Sequence, residues 1–147
     1  MRLTGLTRCG GERGSALIET AFTMPLILLV CVSIFEFGRA YQYWQVLTNA
    51  AREGARIAVL PGADDEDVTA RVQQYLSNGA VASPANASVD VDVAAISIGG
   101  ATRPASTVTV SYPFQFMVLQ PVARLVVNGS TAGAPITMAA VATMRDE

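Results

Sequence analysis

Clustered carboxylates are the side chains whose grouping could point to acid, base or metal chemistry, and the groups to weigh are Asp64-Asp65-Glu66-Asp67 and the pair Asp90 and Asp92. Asp90 and Asp92 alternate with Val89, Val91 and Val93, a period-two pattern that puts both acids on the solvent face of a strand with no other convergent group. The run of four acids lacks the alternating Asp and Gly spacing of a calcium loop. It suits the start of a helix, where the macrodipole favours negative charge. With no histidine in the chain, the usual general base, triad partner and commonest metal ligand are missing. A lone carboxylate, Glu19, opens an apolar run, where an ionisable group is costly and is by default a functional candidate. The expectation is a non-enzyme with no metal, no cofactor and no small-molecule substrate.

The elements that would position these residues begin with that apolar run. Hydrophobic residues make up 51% of the 147 and charged residues 15%, against about 25% charged in an average soluble domain. The excess is concentrated between Ala21 and Phe35. Thr20 to Phe35 carries no charge and as a helix would be about 24 Å long, slightly short of the ~30 Å hydrocarbon layer but still able to span it. Ala21, Phe22, Pro25, Leu26, Leu29, Val30 and Phe35 are its candidate lipid-facing residues, and Pro25 removes one helix hydrogen bond and is expected to kink it. Cys9 precedes this span and Cys31 lies within it, so no disulfide between them is expected. Glu36 and Arg39, three apart, can pair. Tyr41, Tyr43 and Trp44 follow where an interfacial aromatic belt is expected.

All ten cations are arginine, and Arg2, Arg8 and Arg13 against Glu12 make the N-terminus basic, while four Arg and eight acids follow Ile57. The basic flank predicts a cytoplasmic N-terminus with everything after Tyr41 outside. No basic cluster falls on the remaining domain, which excludes a nucleic-acid footprint. The helical pattern continues to about residue 60, with Ala50, Gly54 and Ala58 on one stripe and Ala51 and Ala55 beside it. Small residues there let a second backbone approach closely, either the chain's own sheet or another subunit, with Arg52, Glu53 and Arg56 pointing largely away.

Pro61-Gly62 ends that helix, and a second, short one runs from the acidic run to Asn78-Gly79, with Val68, Val72, Tyr75 and Leu76 as its buried stripe. Ala87 to Ile98 and Thr107 to Tyr112 alternate as an antiparallel pair, Val108, Val110 and Tyr112 facing inward. Phe114 to Val127 is too short and interrupted for a second span. It reads as a loop with a helical turn that presents Phe114, Phe116, Met117 and Leu119 to the core or to a partner. Ile136 to Met144 supplies a third strand, with Ile136, Met138, Ala140 and Ala142 on one face.

No small-residue site of a secretory signal follows the apolar run. What precedes it is Arg13-Gly14-Ser15-Ala16-Leu17-Ile18-Glu19, in which Glu19 is the fifth residue from Ser15. A basic leader, a Gly and a Glu at the fifth following position resemble a type IV prepilin. Taken with Pro25, with Phe35-Glu36-Phe37-Gly38-Arg39 and with Asn49-Ala50-Ala51-Arg52-Glu53-Gly54-Ala55-Arg56, the segment resembles the TadE-like family over about residues 13 to 60. Met144-Arg145-Asp146-Glu147 is similar to the Arg-containing acidic ending common in that family. Thr20 stands where many relatives have an aromatic residue, a departure from the major pilin of that system.

The resemblance implies a pilin-like α+β fold: a long N-terminal membrane helix and a short helix packed on a small antiparallel sheet of three or more strands. It implies a leader over residues 1–14, a helix over 15–60 with its membrane span at about 20–38 and its periplasmic half at 39–60, and a periplasmic α+β domain over 61–147. It further implies cleavage by a prepilin peptidase between Gly14 and Ser15, and pairing of Glu19 with the new amine of a neighbouring subunit. The role implied is a minor pilin or pseudopilin of the tight-adherence (Flp) pilus, held in the bacterial inner membrane or incorporated in the filament. Its partners would be the membrane, the peptidase and other pilins. The competing expectation is an uncleaved bitopic protein with a periplasmic binding domain.

Overall fold

The computed structural model describes residues 11–98, 101–126, 129, 131 and 133–145. In chain order these form α1 (Gly11–Ala58), α2 (Asp65–Asn78), a 3-10 turn (Pro84–Asn86), β1 (Ser88–Ile98), β2 (Ala101–Phe114), α3 (Leu119–Val126) and β3 (Ile136–Arg145). The fold is α+β. The chain divides into two compact units, Met1–Phe35 and Glu36–Glu147, with the division inside α1. The expected leader lies mostly outside the described residues.

In the first unit α1 runs through Pro25 without interruption, although Pro25 cannot supply the N–H that would bond the Ala21 carbonyl. Polar side chains here turn back on the helix. Thr20 Oγ1 donates to the Ala16 carbonyl at 2.8 Å, Thr23 to Glu19 at 3.0 Å and Ser33 to Leu29 at 2.8 Å. Such bonds satisfy the hydroxyls within the helix itself.

The second unit is a helical layer on a sheet of order β1-β2-β3, antiparallel throughout. Period-two alternation sends Val108, Val110 and Tyr112 of β2 to one face, opposite Val91, Val89 and, on β3, Ala142, Ala140 and Met138. That face packs with Leu47, Ala50, Ala51 and Ala55 of α1 and Val68, Val72 and Leu76 of α2 in one core. Val93 has the same parity as Val91 yet is 66% exposed, so the helical layer covers β1 only as far as Val91.

β2 is longer than its alternation predicts, beginning at Ala101 rather than Thr107 and continuing through Pro113 to Phe114. Pro104 pairs only with Ala95 of β1 and Pro113 only with Thr137 of β3. A strand with one neighbour can tolerate the missing N–H.

α2 starts as its acids predict: the Asp67 carboxylate accepts the Asp64 N–H at 3.4 Å, half of a reciprocal capping box. At its other end the left-handed residue is Ala80, with φ 56°. Gly79 serves close approach instead. A Cβ there would lie 2.4 Å from Val46 Cγ1 of α1.

Candidate functional site

The residues singled out from the sequence fall into three groups along α1. Gly14, Ser15 and Glu19 are exposed in its first turns. A Cβ at Gly14 would meet nothing within 4 Å, and Glu19 forms no ion pair with a described side chain.

Ala21, Phe22, Pro25, Leu26, Leu29, Val30 and Phe35 form the second group, and all are exposed. Phe22, for example, is 75% exposed. Among the described residues α1 is the one helix long and apolar enough to cross a membrane, and none of its most apolar window is buried. A core helix of equal length would bury that window, so these side chains need an apolar medium outside the chain. The arrangement is compatible with a single-pass membrane protein.

Ala50, Ala51, Gly54, Ala55 and Ala58 are the third group. The first four are buried and Ala58 is half-buried. Their occupants come from the same chain: a Cβ on Gly54 would lie 2.8 Å from Val72 Cγ2 and 3.2 Å from Val108 Cγ1. The small stripe is therefore where α1 meets α2 and β2. Glu53, beside it, accepts from Arg71 Nη2 of α2 at 2.8 Å and from Nε at 3.1 Å. The Arg71 guanidinium, helped by the charge of Arg56, holds the Glu53 carboxyl below its ordinary range against a partly opposing desolvation. Glu53 is thus a link between helices rather than a purely outward charge.

Between the second and third groups lies a cluster that sequence reasoning only half located. Glu36 is fully buried and pairs with Arg39 at 3.1 Å, as their spacing predicts. Its other oxygen accepts the Val118 N–H at 2.6 Å. Arg39 donates to the Gln115 carbonyl at 3.2 Å and lies over the Phe114 ring, 5.2 Å from its centroid. A carboxylate in a buried setting is stable only if its lone pairs are filled, and here an arginine and a backbone amide fill them. No local pattern announces a partner 82 residues away.

Tyr43 differs from the expected aromatic belt. Its ring packs edge-on against Tyr112 at 5.8 Å and Phe114 at 5.4 Å, and its hydroxyl accepts the Ala82 N–H at 3.2 Å. A tyrosine with a core slot and a backbone partner gains more there than at a lipid boundary. The Tyr112 hydroxyl donates to the Ala82 carbonyl, and burial, with Tyr43 nearby, pushes its pKa up. Tyr41 and Trp44 do remain outward, 61% and 47% exposed, and touch each other at 6.2 Å.

A solvent-shunning helix of this kind, with an early Gly and Glu and a charged pair at its far edge, can anchor and pack but presents no reacting constellation. Asp90 and Asp92 are exposed on β1, and among the described residues no three of Cys, Asp and Glu are grouped to hold a metal.

Residues 14–56 match the TadE-like protein family.

The matched stretch takes in the first two groups, the Glu36–Arg39 pair and all of the third group but Ala58, and it ends two residues before α1 does. The TadE-like match suggests a pilin-like protein associated with the Tad pilus. No curated protein and no solved structure matches the chain.

Proposed function

We propose that this TadE-like chain is a minor pilin or pseudopilin of the tight-adherence (Flp) pilus, processed by a prepilin peptidase after Gly14. The observation that carries the reading is the exposed apolar half of α1, which opens on Gly14, Ser15 and Glu19 and lies within the family match. Cleavage would turn Ser15 into a charged helix N-terminus. Glu19 then stands one turn from that amine and from the positive end of the helix dipole, where a carboxylate is favoured. The same carboxylate, with no ion pair to a described side chain, is free to meet the amine of a neighbouring subunit in the membrane. Glycine at position 14 aids the cut, since Gly is roughly 1 kcal/mol less favourable than Ala inside a helix and a protease needs the backbone opened. In this reading the chain sits in the bacterial inner membrane with its N-terminus cytoplasmic and the second unit in the periplasm. Other pilins of the same pilus are its partners.

Intact mass of the membrane-extracted chain, with and without the prepilin peptidase of the same cell, tests this. The expected product begins at Ser15, requires the peptidase and is lost in Gly14→Glu. A chain that still begins at Met1 in the presence of the peptidase sinks the pilus assignment and leaves a bitopic anchor.

A further inference from the structure

Among the described residues, an apolar face of the second unit is left without cover at Met117, Val118, Pro121 and Val122. Met117 is 64% exposed, Val118 37% and Val122 40%, and Pro121 is exposed as well. The Val122 N–H bonds the Val118 carbonyl at 3.1 Å, so 117 and 118 sit one turn before 121 and 122 and the four share a side. An eight-residue helix is too short to be stable by itself, and one that turns apolar residues outward needs something to lie against.

Its location says what that is. Val118 is tied through its N–H to Glu36 at 2.6 Å, and Gln115 through its carbonyl to Arg39 at 3.2 Å. Glu36 follows directly on the uncharged stretch from Thr20 to Phe35. The start of α3 is therefore fastened to the residue at which the apolar run ends. Charge points the same way. No acid occurs between Asp92 and Asp146, and Arg124, which is exposed, is the one charged residue from Pro104 to Met144. The acids of α2 gather instead around its first turn, next in sequence after the opposite end of α1.

We propose that the Met117–Val126 segment is an interfacial element that lies in the headgroup layer of the bilayer that α1 crosses. Met117, Val118, Pro121 and Val122 enter the acyl boundary, and Arg124 meets lipid phosphate. Short amphipathic helices bind interfaces by such apolar burial together with attraction to anionic lipid. Glu36 and Arg39 act as the fastening that sets the depth of the segment. This inference rests on the membrane reading of α1 given above.

The test uses the full chain with Cys9 and Cys31 replaced by Ser, reconstituted in phosphatidylcholine–phosphatidylglycerol vesicles and labelled with an environment-sensitive fluorophore at single cysteines. Met117→Cys and Val122→Cys report on the face, Leu28→Cys on the span, and Asp65→Cys on the opposite end of the second unit. The expected result is quenching at 117 and 122 by phospholipid carrying a shallow nitroxide, to an extent comparable with quenching at 28 by a deep one, and protection from aqueous iodide, with the reverse at 65. Quenching at 28 together with iodide access at 117 and 122 overturns the inference and leaves the membrane reading standing. Protection of 117 and 122 from both iodide and nitroxide lipid also overturns it, because protein then covers the face. An unquenched label at 28 removes the membrane reading and the inference with it.

Discussion

Glu36 condenses the chemistry of this chain at the scale of one residue. A carboxylate that is fully buried yet bonded to Arg39 and to the Val118 amide is stable only as part of a set, since removing one member of a buried pair strands the others. Glu36→Ala leaves the Arg39 guanidinium short of its anion and the Val118 N–H without an acceptor. Because the Arg39 side chain is 20% exposed and water can partly replace the lost partner, the cost is about 2–3 kcal/mol rather than the upper end for dry pairs. Glu36→Gln keeps an acceptor for one of the two bonds and loses less. Chemical denaturation of the full chain in mild detergent reads both values. Equal stability of Glu36→Ala and the parent would show that the buried bonds carry no net weight. The same residue marks how far the sequence could be read. Its spacing from Arg39 was visible, because a helix brings i and i+3 together, whereas its burial depended on a contact with a loop 82 residues on. Tyr43 was misplaced for a like reason: beside Tyr41 and Trp44 it looks like one of a belt, and only the folded sheet brings Tyr112 and Phe114 against it.

Among the elements, α1 and α2 were legible because their apolar residues recur at helical spacing and because Pro61-Gly62 and the acidic run punctuate them. The inward alternation of β2 from Val108 to Tyr112 and of β3 from Met138 to Ala142 was legible for the corresponding period of two. The start of β2 was not, since Ala101 to Ser106 offers no alternation and contains Pro104, and it is pairing with β1, joined by β3 at Ala105 and Ser106, that extends the strand there. The stripe of small residues was visible as a close-packing face without naming its occupant, which proves to be Val72 and Val108 of the same chain. Where α1 and α2 meet, Glu53 and Arg71 add a pH-dependent link. The folded Glu53 carboxyl titrates below its ordinary 4.5, so the unfolded chain takes up the proton first as pH falls. The pair's contribution is thus fully present above pH 4.5 and is lost as pH falls through the lowered folded value. With the Arg71 side chain 43% exposed, solvent screening limits this to about 0.2–1 kcal/mol. Glu53→Gln should flatten that part of the acid limb in denaturation curves taken stepwise from pH 6 to pH 3, with little change of slope above pH 5. An unchanged acid limb would assign the pH dependence to other carboxylates.

For the whole molecule, the uneven placement of charge has a consequence for the proposed membrane topology. Before the uncharged stretch stand Arg2, Arg8 and Arg13, and within about twenty residues after it come Arg39 and Arg52. Orientation follows the Lys and Arg count of the two flanks rather than net charge, so the bias toward a cytoplasmic N-terminus is narrow and depends on the three leading arginines. The bonding of Arg39 to Glu36 and Gln115 belongs to the folded second unit, and in the proposed topology it forms only after that unit has crossed. During insertion Arg39 is an ordinary positive charge that opposes translocation. With Cys9 and Cys31 replaced by Ser, replacing Arg2, Arg8 and Arg13 together by Gln should therefore give a mixed population, in which Ser77→Cys, on the exposed surface of α2, becomes partly inaccessible to a membrane-impermeant thiol reagent added to intact spheroplasts, and accessible again once they are lysed. Adding Arg39→Gln to the triple variant should restore part of the labelling by cutting the excess on the following flank from two arginines to one. Full labelling of the triple variant would mean that the translocation of the second unit, rather than the flanking arginines, dictates how the TadE-like helix is oriented.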